Sequence, residues 1–118
     1  MRYWERKDVM SRLCISRSAS YRIVGTARGK LIASTDLLRI LNASRRGPQP
    51  MLVEIPSDIL TAEQMSKEIG ITSRQLLNWT LRTRNLPPHF LLKSHGRRFQ
   101  KSAVLGWLDK LSEIVRRG

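Results

Sequence analysis

The chain has 118 residues, room for one domain or two very small ones, and its 41% apolar content supports a packed core and argues against global disorder. Its 22 Lys and Arg against 9 Asp and Glu give a formal charge of +13, with 11 basic and 5 acidic residues over 1–59 and 11 and 4 over 60–118. An excess spread so evenly belongs to a body with basic patches rather than to a basic tail, and such a body attracts a polyanion.

In chain order, the first element expected is a helix from Trp4 to Leu13. Ser16 caps a second helix running through Tyr21 to about Val24, with Arg17, Ser18, Ser20 and Arg22 facing outward. Gly25 and Gly29 mark a short turn or stunted hairpin edged by Arg28 and Lys30. Ser34 or Thr35 then caps a helix from Asp36 to Leu41, whose apolar face is Leu37, Leu38 and Leu41. Residues 44–50, with two prolines, a glycine and two arginines, read as a linker; Met51–Ile55 reads as a short strand ended by Pro56.

The next stretch, Leu60 to Thr80, carries the clearest local signals. Thr61 with Gln64, and Thr72 with Gln75, are two capping boxes, each opening a short helix. Gly70 ends the first helix, since it takes the left-handed conformation at no steric cost, and Ile71 is the hinge. Leu76 and Trp79 continue the apolar face and leave Ser73, Arg74, Gln75, Asn78 and Arg82 on the other side. After the extended entry at Asn85–His89, two strands, Phe90–Lys93 and Arg97–Gln100, flank a turn at 94–96. Ser102 caps a closing helix that turns Val104, Leu105, Leu108 and Leu111 inward together with Trp107.

The chain also resembles itself. Residues 9–23 fall on 65–79 at an offset of 56, placing Val9 on Met65, Leu13 on Ile69, Ile15 on Ile71, Ile23 on Trp79 and Cys14 on Gly70. Residues 29–41 fall on 96–108 at an offset of 67, so the first copy lacks about 11 residues between its two blocks. A tandem repeat is expected, with units at 1–43 and 60–118 and a linker at 44–59.

An exposed face of Ser, Arg, Gln and Asn on the second helix of a helix pair suits phosphates and base edges in a DNA major groove. Arg74, Gln75 and Asn78 lead as base-edge contacts, because Arg pairs in bidentate fashion with guanine and Gln or Asn with adenine. Thr72, Ser73 and Arg82 lie beside them, and Arg17, Ser18, Ser20 and Arg22 hold the corresponding face of the first copy. Lys93, His95, Arg97 and Arg98 supply a basic hairpin, with phosphate contacts expected from its arginines, and Arg28 and Lys30 a smaller one.

Residues 60–108 resemble the excisionase and AlpA-like winged helix-turn-helix group, related in fold to MerR regulators. The resemblance rests on Leu60-Thr-Ala-Glu-Gln, Ile69-Gly-Ile-Thr-Ser-Arg74, Trp79, Pro87-Pro88, Gly96-Arg-Arg-Phe99 and Val104 with Trp107-Leu108; residues 7–24 look like the same opening. It implies a mainly α fold of two tandem winged helix-turn-helix modules, the first with a reduced wing. It further implies a double-stranded DNA-binding protein of a phage, plasmid or other mobile genetic element. The leading reading is a transcriptional regulator, in particular a repressor. The alternatives are an excisionase-like recombination directionality factor that bends DNA, and a DNA-binding adaptor of a replication, partition or packaging complex. A second protein partner (an integrase, RNA polymerase or a packaging or replication subunit) and a homodimer stay open. Two modules in one chain could read half-sites about 10 bp apart.

Other classes are disfavoured. Cys14 is the sole cysteine and His89 and His95 the only histidines, so neither a disulfide nor a Cys/His zinc site is expected. No paired carboxylates, phosphate-binding Gly loop or Ser/His/Asp grouping suggests a catalyst, and no cofactor is expected. No apolar run approaches the ~20 residues that span a bilayer. The segment Met-Arg-Tyr-Trp-Glu-Arg-Lys-Asp lacks a signal-peptide core, so a cytoplasmic, nucleoid-associated location without a membrane partner is expected.

Overall fold

Both halves of the chain begin with a three-residue strand running straight into a helix. The computed structural model describes residues 3–25, 31–92 and 96–117, with side chains to residue 112. The first half contains β1 (Tyr3–Glu5), α1 (Arg6–Leu13), α2 (Arg17–Val24), β2 (Leu31–Ala33), α3 (Ser34–Ala43) and β3 (Arg45–Arg46). The second contains β4 (Ile59–Thr61), α4 (Ala62–Ile69), α5 (Ser73–Thr80), β5 (His89–Leu91), β6 (Arg97–Gln100) and α6 (Lys101–Arg117). The described residues are thus mainly α, with six helices and two small antiparallel sheets. None of these helices is long and apolar enough to cross a membrane.

Among the described residues the elements follow the two repeat offsets. Offset 56 carries β1, α1 and α2 onto β4, α4 and α5, and offset 67 carries the starts of α3 and β2 onto α6 and Arg98 within β6. Strand register follows: Tyr3, Trp4 and Glu5 pair with Ala33, Ile32 and Leu31, as Ile59, Leu60 and Thr61 pair with Gln100, Phe99 and Arg98. The turn positions match too. Cys14 lies in the left-handed region (φ 56°, ψ 47°), as does Gly70 (φ 76°, ψ 31°), although a side chain there costs about 1–2 kcal/mol. Both boxes form as expected, with the Thr61 and Thr72 hydroxyls accepting from the Gln64 and Gln75 amides, and Ser16 accepts from the Ala19 amide.

Several local expectations change. Tyr3–Glu5 is strand, so the first helix starts at Arg6 rather than Trp4, and Met51–Ile55 forms no strand. Neither Ser34 nor Thr35 caps α3, which begins at Ser34 without a side-chain cap. Ser102 lies inside α6, and Asp58 caps that helix from 44 residues away, its carboxylate accepting from the Ser102 amide at 2.8 Å. Leu105 is exposed rather than inward.

Residues 44–59, expected as a linker, are held against both halves. Residues 44–59 have loop composition, but their polar groups are tied to both halves. β3 pairs with β5, extending the second half's sheet in the order β3-β5-β6-β4. The Asn42 side chain grips the Leu52 backbone at both N and O, Gln49 Nε2 donates to the His89 carbonyl, and Arg12 Nη1 donates to the Pro56 carbonyl. Gly47 (φ 80°) passes so close to Pro87 that a Cβ would sit 2.8 Å from its carbonyl oxygen.

Beneath this, Ile59, Phe90 and Leu92 join Trp4, Val9, Leu13, Ile23, Leu37 and Leu41 in one core, while Met65, Leu76, Phe99 and Val104 form another. Apolar burial of this kind is worth about 25 cal/mol per Å², so a core drawing on both halves makes them one folding unit. His89 is buried at the seam, and its Nδ1 donates to the Pro87 carbonyl at 2.8 Å. Burial pushes its pKa below the ordinary histidine value; the Pro87 bond opposes the shift, and Arg97 and Arg46 add to it.

Candidate nucleic-acid interface

The second helix of each pair presents four matched positions to solvent or near it: Arg17, Ser18, Tyr21 and Arg22 on α2, and Ser73, Arg74, Leu77 and Asn78 on α5. Spacing i, i+1, i+4, i+5 puts them on one stripe of a helix. Of these only Ser73 is half-buried. Arg82 extends the α5 face just past the helix end and stacks over the Trp79 ring, 5.4 Å from its centroid. Trp79 in turn packs on Trp107 with centroids 6.1 Å apart, so the stripe is backed by an aromatic pair.

The sequence on either side of these helices is poor in acids. Residues 9–35 and 69–108 hold no Asp or Glu. The acids lie elsewhere and several are paired: Glu5 with Lys7 at 3.3 Å, Asp36 with Arg39 at 3.2 Å, Glu63 with Lys67 at 3.8 Å and Glu68 with Lys101 at 3.2 Å. Among the described residues Arg17, Arg22, Arg74 and Arg82 enter no ion pair. Their charge is therefore uncompensated locally, and the helices that carry them repel no anion.

Four expected site residues have other work. Ser20 does not face outward: it is fully buried, donates to the Arg17 carbonyl at 2.6 Å and accepts from Arg6 Nη1 at 3.1 Å. Offset 56 maps it onto Leu76, a core position, and a small hydroxyl fits there because Arg6 satisfies it. Arg98 is not at a wing tip. It reaches the first half, where Nε donates to the Leu13 carbonyl and Nη2 to the Cys14 carbonyl, both at 2.8 Å. Those carbonyls end α1, where orphan acceptors and the negative end of the dipole favour a cation. Desolvation lowers the Arg98 pKa from its ordinary value, and the guanidinium keeps its charge. Thr72 and Gln75 are committed to their capping box; Gln75 Oε1 accepts from the Thr72 amide at 2.9 Å, leaving only its NH₂ outward-going.

Arg97 is half-buried in β6 opposite Leu91, with its Nε buried and without a hydrogen-bond partner. Arg28, Lys30, Lys93 and His95 lie outside the described residues. Tyr21 was absent from the expected set; it is 40% exposed, and Arg6 lies 3.9 Å over its ring. Its position one turn after Arg17 and beside Arg22 was the available signal.

No family model, curated protein or solved structure matches the chain.

Proposed function

We propose that the chain is a sequence-specific double-stranded DNA-binding protein made of two tandem winged helix-turn-helix modules, the first with a reduced wing. In this reading α2 and α5 enter the major groove, and the protein acts as a transcriptional regulator, a repressor of a nearby promoter in a mobile genetic element, as the resemblance to excisionase and AlpA-like proteins implies. The observation that carries it is the twice-repeated second helix, with Arg, Ser or Asn at three of the four matched stripe positions in each copy and no Asp or Glu in the stretches 9–35 and 69–108 that contain it.

Two consequences belong to the same reading. The matched positions differ in side chain (Arg17 against Ser73, Ser18 against Arg74, Arg22 against Asn78), so the half-sites differ in sequence. The shared core and sheet hold the two readers at one separation.

The test is binding to DNA selected from a random pool. Arg74→Ala should relax preference at one position and cost about 1–3 kcal/mol, and affinity should fall steeply with salt as phosphate contacts release counterions. A flat salt response with unchanged preference would refute it. Footprints over promoter elements, rather than over an attachment site beside integrase arms, separate the regulator from the excisionase-like reading.

A further inference from the structure

The repeat leaves two equivalent surfaces in opposite circumstances. In the β4–β6 sheet, Leu60 and Phe99 face the second core, while Ile59 and Arg98 meet the first half: Ile59 joins its core, and the Ile59 carbonyl lies 3.6 Å from Cys14 Sγ. In the β1–β2 sheet Trp4 and Ile32 likewise turn inward. Tyr3 and Leu31, which stand where Ile59 and Arg98 stand, are 58% and 53% exposed. The receiving surface shows the same asymmetry. Leu13 and Ile15, at the end of α1, are buried (0% and 8% exposed), whereas their counterparts Ile69 and Ile71, at the end of α4, are only half-buried.

Single exposed apolar side chains need no explanation. These differ, because each is the repeat partner of a residue that the other half covers. Every chain thus leaves the counterparts of the contact between its own halves less covered than the contact itself: Tyr3 and Leu31 are exposed, and Ile69 and Ile71 are half-buried against their own core alone. We propose that a second copy of the chain covers them: the Tyr3–Leu31 face of one protomer docks on the Ile69–Ile71 end of α4 of the next. The two surfaces are different, so the association is heterologous, head to tail and open-ended.

Its strength follows from what is missing. The contact within the chain also uses Phe90, Leu92 and the two Arg98 hydrogen bonds. Among the described residues the first half has no counterpart of β5, and it has Leu31 in place of Arg98. The contact between chains is therefore the weaker one, and it strengthens where copies are held side by side, which raises their effective concentration. The inference rests on the repeat and not on DNA binding.

Sedimentation velocity over a concentration series tests it, using the full chain, a head-blocked variant (Tyr3→Glu with Leu31→Glu), a tail-blocked variant (Ile71→Lys) and their equimolar mixture. The parent chain should sediment faster with concentration, past the dimer; each variant alone should stay monomeric; the mixture should form a dimer that does not grow. A parent chain monomeric throughout, or a tail-blocked variant that still dimerises with itself, overturns the proposal. Should Ile71→Lys fail to fold by circular dichroism, Gly70→Asn replaces it, since Asn tolerates the left-handed backbone and the added Cβ meets nothing within 4 Å.

Discussion

The guanidinium of Arg98 closes the end of a helix 84 residues away, donating to the Cys14 carbonyl at 2.8 Å while its Nε donates to the Leu13 carbonyl at the same distance. Each hydrogen bond involves a charged donor in a part-buried setting, and removing the donor orphans two helix-end carbonyls. Arg98→Ala should therefore lose about 2–4 kcal/mol in urea unfolding. Arg98→Lys should recover little, because an ammonium on a flexible stem does not reproduce the fork. A Lys variant as stable as the parent would show that charge alone matters at this seam.

Cys14 offers a cleaner test of backbone strain. Its φ of 56° favours Gly, and the hydrogen bonds of its thiol are long: 3.6 Å to the Ile59 carbonyl and 3.9 Å to both the Ser11 carbonyl and Gln64 Oε1. Cys14→Gly relieves the left-handed penalty of ~1–2 kcal/mol but adds freedom to the unfolded chain worth ~0.4–1 kcal/mol. Thermal unfolding should place it between unchanged and about 1 kcal/mol more stable. Cys14→Val, branched at Cβ, should be clearly less stable, and equal melting of the two variants would remove the strain argument.

Stability should fall with acid through His89. Its pKa in the folded chain lies below the ordinary 6.5 because it is buried. Above 6.5 the imidazole is neutral in both states and contributes no pH dependence. Below it the unfolded chain takes up a proton that the folded chain resists, so unfolding becomes easier as pH falls toward the folded pKa. One such group gives at most about 1.4 kcal/mol per pH unit. Urea midpoints compared at about pH 7.5 and pH 5.5 should show the loss, and His89→Gln should flatten it. An unchanged slope in that variant would assign the acid sensitivity elsewhere.

Binding and folding should separate between Arg74 and Arg6. Arg74 is exposed on α5 and makes no ion pair among the described residues, so Arg74→Ala should change stability by no more than about 0.5 kcal/mol while weakening DNA binding. Arg6 holds Ser20 Oγ and the Gly25 carbonyl, each at 3.1 Å, and lies over Tyr21. Arg6→Ala should lower stability by about 1–3 kcal/mol, because Ser20 is buried and loses a donor. Calorimetry paired with an anisotropy titration reads both effects, and a stability loss at Arg74 would mean that its face is packed rather than free.

How far the sequence could be read follows from the range of the signals. The caps at Ser16, Thr61 and Thr72, the Gly70 turn and the repeat offsets are local or periodic signals, and the described elements follow them, whereas Ser34, Thr35 and Ser102 do not cap. Two of the failures depended on partners distant in sequence. Arg98 reads as a hairpin arginine until α1 is seen beside it, and residues 44–59 read as a linker because a two-residue strand and side-chain bonds leave no periodicity. Ser20 was legible: the same offset that aligned Ile23 with Trp79 puts it on Leu76, and polarity alone had placed it outside.

The central claim is that one chain holds two different DNA-reading helices at a fixed separation. Selection of bound sequences from a random pool, followed by insertion of about 2 and about 5 bp between the recovered half-sites, tests it most directly. The account predicts a bipartite site with unlike halves and at least a tenfold loss of affinity (about 1.4 kcal/mol) on either insertion. A single short motif, two identical halves, or affinity indifferent to the spacing would contradict it.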